Sequence, residues 1–183
     1  LGFAQAVVAS ADFAELKGSL IAAAPRTKEE AAAIVARFQT KDFPAATLPA
    51  RQAIIDHCFA GDSMADIVAR LSREAASDGS SDSGAATALD MLRHRCPFSM
   101  VLTHEFLKRI KGLSVEEVLQ IDYRLALRCI TTADFNEGIR AVLIDKDNQA
   151  KWNPATIETV DAATVERFFA PLPATERVLN WIG

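Results

Sequence analysis

The residues best placed by type and spacing to do chemistry lie between Asp134 and Trp152, in DFNEGIRAVLIDKDNQAKW. Asp145 with Asp147 is one carboxylate pair of the kind that acid/base chemistry needs, and Glu116 with Glu117 is another. A structural account competes with each. Asp134 reads as a helix cap with Glu137 three residues on, and Glu117 stands three residues after Ser114. Lys146 and Lys151 flank a DKDN turn, a type that water normally surrounds. Trp152 differs, because an aromatic ring in a charged loop packs onto something.

The other candidates are weaker. His57-Cys58 and His94 to Cys96 invite a metal or a thiol nucleophile. Neither has CxxC spacing or ligands one helical turn apart. Adjacent residues on a helix point about 100° apart, so a buried cysteine beside a surface histidine is the expected arrangement. Arg93, His94, Arg95, Lys108, Arg109 and Lys111 form a basic cluster. Cations at a helix C-terminus are favourable on structural grounds alone, and a phosphate-binding rim is the functional alternative. The chain carries no GxSxG, Walker or GxGxxG motif.

These residues must be positioned by helices. The chain has 183 residues, half of them hydrophobic, with only 8 glycines. That composition supports a packed core and favours helix over sheet. The only strand-like run is Phe3 to Val8, so a mainly α fold with at most one short strand near the N-terminus is predicted.

Helices are expected after Asp12, from Thr27 with Glu30 as a capping box, from Pro49 to Phe59, and after Ser63. Others are expected from Ala85 to His94, from Pro97, from Ser114 to Ile130, from Asp134, and around Thr164 to Phe169. Predicted apolar faces include Val115, Val118, Leu119, Leu125 and Cys129, then Phe135, Ile139, Val142 and Leu143. Residues 77–84, SDGSSDSG, read as a flexible low-complexity loop between a helical front portion, 1–76, and a helical back portion, 85–183.

A net charge of -4 argues against nucleic acid as a partner. The apolar runs are too short to span a membrane. Three unpaired-looking cysteines point to a reducing compartment. Leu1 stands where an initiator methionine would, and LGFAQAVV reads as a continuing chain. The expectation is a piece of a longer protein, with a processed transit peptide as the alternative.

Four segments then occur in a telling order: CPFSMVLTHEFLKR, GLSVEEVLQIDYRLALR, DFNEGIRAVLIDKDNQAKWNP and FFAPL. This order resembles the C-terminal part of the 3-hydroxyisobutyryl-CoA hydrolase branch of the enoyl-CoA hydratase/isomerase (crotonase) superfamily. The likeness is closest over Cys96 to Leu172 and looser over Leu1 to Leu71. Asp122 stands where the family has Glu, Ala150 where it has Pro, and SDGSSDSG is an expansion.

The resemblance implies hydrolysis of a β-hydroxyacyl-CoA thioester, typically in valine breakdown, with two backbone N–H groups as an oxyanion hole. It requires no metal and no cofactor, CoA being part of the substrate. The elements that carry the oxyanion donors and catalytic carboxylates lie in a preceding half, so no catalytic residue is assigned here and the chain alone is expected to be inactive. The C-terminal helices of such proteins associate subunits and close over acyl-CoA. Lys146 matches the family's lysine, making it a candidate contact to CoA phosphate, with Lys151 a second. Location follows by resemblance: the mitochondrial matrix in a eukaryote, the cytoplasm in a bacterium. Enoyl-CoA hydration and a noncatalytic helical interaction module are the alternatives.

Overall fold

The computed structural model describes residues 4–40, 47–78 and 84–173. The chain divides into two compact units, Leu1–Pro49 and Ala50–Gly183. The boundary expected at 77–84 falls within the second unit, and residues 79–83 lie outside the described residues.

In the first unit a 3-10 turn, Ser10–Asp12, leads into α1 (Phe13–Ala23). Asp12 takes the N-cap position without a side-chain capping bond. Ala24 ends α1 in the left-handed region at φ 42, immediately before Pro25, which disfavours helical geometry in its predecessor. In α2 (Lys28–Ala36) the Glu30 N–H donates to the Thr27 hydroxyl at 3.1 Å. The Glu30 carboxylate accepts from Arg26 N at 2.7 Å, one residue further back than a capping box requires. The expected strand reduces to a single antiparallel bridge, Val8 to Gln39, and its first residue, Phe3, lies outside the described residues. No described side chain of this unit is fully buried.

The helix expected from Pro49 to Phe59 is split into α3 (Thr47–Ala50) and α4 (Gln52–Cys58), because Arg51 leaves helical geometry. Of the expected linker, residues 42–46 lie outside the described residues. The Ser63 hydroxyl accepts from Asp66 N at 3.1 Å and starts α5 (Met64–Asp78), which packs against α6 (Gly84–Arg93) and α4. Cys58, Met64, Ile67, Leu71, Ala85 and Leu89 form the core of this group.

A second core gathers α7 (Pro97–Arg109), α8 (Val115–Cys129) and α10 (Ala162–Phe169); α9 (Ala133–Ile139) follows α8 in the chain. Its buried residues are Cys96, Phe98, Leu102, Leu125, Val165 and Phe169. Pro97 opens α7, where its missing N–H costs nothing. Ser114 and Glu117 make the full capping box of α8. Of the face predicted for α8, Leu125 is buried, while Val115 is 69% and Leu119 is 37% exposed. Periodicity identified an apolar stripe, but only its C-terminal half meets α7 and α10.

Asp161 caps α10 by accepting from Thr164 N at 2.9 Å. At the other end, Arg124 donates to Phe169 O at 2.8 Å. Arg128 donates to the carbonyls of Phe168, Ala170 and Pro171. Two cations therefore hold the negative end of α10 and the chain leaving it. The mainly α expectation holds across the described residues.

Candidate functional site

The site is built on the exit of α9. Thr132, not Asp134, caps this helix, accepting from Phe135 N at 3.2 Å. That places Asp134 in the first turn, where its carboxylate faces the returning chain. It accepts from Asn153 N at 2.9 Å and from the Cys96 thiol at 3.3 Å. Glu137 likewise accepts from Lys151 N at 2.7 Å. The predicted cap pair thus staples residues 151–153 to α9: the Thr132 hydroxyl already accepts from the helix start, so both carboxylates are left to accept from the backbone N–H groups of the loop.

Beyond Ile139 the helix widens into a π turn, Arg140–Ile144, closed by Asp145 N donating to Arg140 O at 2.8 Å. The wider turn leaves Ala141 O to accept from Asn148 N at 3.0 Å. Such π turns are rare and concentrate at functional sites. Lys146 and Asn148 follow at φ 57 and 55, in the left-handed region that non-glycine residues seldom occupy.

Arg140 fixes this geometry. Its guanidinium donates to both oxygens of Glu137 at 2.9 Å, to Asp145, to Asp147 at 2.9 Å, and to Gln149 O at 3.1 Å. Arg140 is not among the residues that the sequence singled out. The visible signal was one cation spaced to reach Glu137 one turn back and both acids of the DKD turn ahead.

The Arg140 hydrogen bonds, then the Lys151 N–H, hold the Glu137 carboxyl at about 2, below its ordinary 4.5. A depressed carboxyl contributes stability that is complete above the unfolded-state value and is lost as pH falls through the folded one. The stability difference between wild type and Glu137→Gln is therefore expected to be constant above about pH 5. It should shrink to nothing as pH falls from 4.5 toward 2. Thermal unfolding of both proteins across that range checks it, and a pH-independent difference refutes it.

Lys146 and Lys151 are both exposed, and no ion pair engages either ammonium among the described residues. Trp152 is half-buried against α9, and a β-carbon on Gly138 would stand 3.4 Å from its ring. That is ordinary contact, so Gly138 gives the indole a close seat rather than avoiding a clash. The apolar face predicted to pack is open instead: Phe135 is 42%, Val142 56% and Leu143 66% exposed.

Trp152 lines two clefts, together with Cys96, Ser99 and Val142. One, of about 620 Å³, is lined by Phe59, Met100, His104, Leu107 and Val142 among others. The other, of about 380 Å³, is lined by Cys96, Cys129, Phe135, Ile139 and Leu143 among others. Burial chiefly raises the Cys96 and Cys129 thiols, so both remain protonated at neutral pH. Cys58 is fully buried beside an exposed His57.

The basic cluster divides. Lys108 bonds Glu105 and Asp62 O, and Arg109 pairs with Glu166 while lying 3.9 Å over the Phe169 ring. Those two are structural stitches. His94 and Arg95 instead border the larger cleft, and Arg93 a smaller one. The assembly is an apolar surface rimmed by cations, with its carboxylates already hydrogen-bonded.

The profile of the enoyl-CoA hydratase/isomerase family matches residues 1–169. The chain belongs to this family. Within it, the chain is 34% identical over 175 residues to the mitochondrial 3-hydroxyisobutyryl-CoA hydrolase of Xenopus laevis, covering 93% of this chain and 44% of that protein. To the human mitochondrial enzyme of that name it is 31% identical over 182 residues, covering 96% and 45%.

Two solved structures of enoyl-CoA hydratase/isomerase type share the architecture. A carnitinyl-CoA dehydratase from Mycobacterium thermoresistibile superposes with a TM-score of 0.78 at 32% identity, covering 94% of this chain and 46% of that one. An enoyl-CoA hydratase from Rhodobacter sphaeroides gives 0.73 at 33%, covering 93% and 46%. The chain thus spans less than half the length of these relatives.

Proposed function

We propose that this chain is the C-terminal helical part of an acyl-CoA thioester hydrolase acting on 3-hydroxyisobutyryl-CoA, as in valine breakdown. The observation that carries the proposal is the 34% identity over 93% of the chain to a hydrolase of that name. In this reading the helices close over the acyl-CoA and contribute to subunit contacts. The open apolar face of Phe135, Val142 and Leu143 supports such a covering role, because exposed apolar patches mark surfaces that meet a partner.

Oxyanion donors and attacking carboxylates would come from the remainder of the longer protein, with Lys146 and Lys151 reaching CoA phosphate. The reaction would need no added cofactor, and neither nucleic acid nor membrane would be a partner. No helix among the described residues is long and apolar enough to cross a membrane. Relatives named as mitochondrial support a matrix location in a eukaryotic host, and a bacterial host implies the cytoplasm.

A second reading, enoyl-CoA hydration, is favoured by the hydratase and dehydratase names of the two solved structures. A thiol-release assay of the full-length protein on 3-hydroxyisobutyryl-CoA, run beside hydration of an enoyl-CoA, separates the two. Thiol release is the expected result, with none from the isolated 183 residues. Substantial turnover by the isolated chain, or hydration without thiol release, overturns the proposal.

A further inference from the structure

Arg140 has a consequence for its neighbours beyond shaping the turn. Residues 137–151 carry Glu137, Asp145 and Asp147 against Arg140, Lys146 and Lys151, a balanced set. All three carboxylates bond to Arg140. A recess of about 640 Å³ opens over this cluster, lined by Glu137, Arg140, Asp147, Gln149, Ala150 and Lys151. Asp145 and Asp147 flank Lys146 in sequence, and the Glu137 carboxylate accepts the backbone N–H of Lys151. Without a competing cation these acids would draw in the two ammoniums and repel any anion entering the recess.

We propose that Arg140 is a positioning residue that occupies these carboxylates and so leaves Lys146 and Lys151 available to a phosphate-bearing ligand. This rests on the reading above that the two lysines face CoA phosphate. The geometry supports it. One planar fork satisfies three carboxylates in fixed directions, which a lysine cannot do. The same bonds hold the left-handed turn that carries the Lys146 side chain into solvent. Arg140 touches no ligand in this scheme. It acts by charge balance and by the shape of the turn.

The test uses the full-length protein and Arg140→Gln. Calorimetry with CoA and with pyrophosphate is run beside kinetics on an acyl-CoA and the matching acyl-pantetheine, which has no phosphate. Arg140→Gln is expected to weaken CoA binding about tenfold and leave KM for acyl-pantetheine nearly unchanged. Adding Asp145→Asn and Asp147→Asn should recover most of the loss, because the repelling charge is gone. A parallel loss of pyrophosphate binding assigns the effect to phosphate itself, and a loss confined to CoA assigns it to the nucleotide end.

Unchanged CoA affinity overturns the proposal. So does an equal loss with acyl-pantetheine, which would mean fold support alone, or a Lys146→Gln, Lys151→Gln double variant that binds CoA normally. If Arg140→Gln does not fold, Arg140→Lys enters the same assays with the same criteria. Absence of thioester hydrolysis by the wild type would sink the proposed function, while CoA calorimetry would still decide the role of Arg140.

Discussion

Leu71→Ala is expected to destabilise the protein by about 2–5 kcal/mol. Leu71 is fully buried at the centre of the α4, α5 and α6 group. Truncation loses the transfer free energy of the removed carbons and leaves a cavity that the neighbours fill only in part. Those neighbours are constrained. Ile67 is 4% exposed and already meets Gly61 so closely that a β-carbon there would stand 2.9 Å from it. Collapse is therefore poor, and the loss should fall in the upper half of the range. Urea unfolding of the two proteins, with equal m-values, gives the number. A loss below about 1 kcal/mol would mean that α5 and α6 are not packed as described.

Phe169→Ala is expected to cost about 3–5 kcal/mol. Phe169 is 8% exposed and closes the second core from α10. Its ring also receives the Arg109 guanidinium at 3.9 Å, a contact worth about 0.5–2 kcal/mol. Losing the ring removes both terms and leaves Arg109 held by Glu166 alone across the helices. Phe169→Leu separates them, since leucine restores apolar volume without a π face. Leucine should recover most of the stability but not all of it. An alanine variant as stable as wild type would show that α10 is not docked on α7 and α8.

Much of the helical layout was legible, because capping residues and breakers act locally. Thr27, Ser63 and Ser114 cap where expected, and Pro97 opens its helix. Asp134 and Glu137 were misassigned as a cap pair, since a carboxylate near a helix start cannot be told from one that reaches a returning loop. Only the fold brings the N–H groups of Lys151 and Asn153 into range. The apolar faces of α8 and α9 were legible as faces. What covers them was not, because periodicity reports which side is apolar and not whether a neighbour meets it. Arg140 was missed although its spacing to Glu137 was visible, because only the π turn brings Asp145 and Asp147 round to the same guanidinium.

Met100 and Val101 of α7 pack against the first core, while Phe98 and Leu102 of the same helix belong to the second, with Val101 touching both. α7 is thus a party wall. Local opening that strips partners from one side of it weakens the other, so the two cores are energetically linked rather than independent. A segment built this way breathes as one block. In the covering role proposed above, that coupling would favour seating or lifting the helices as a whole over half-open states that admit water.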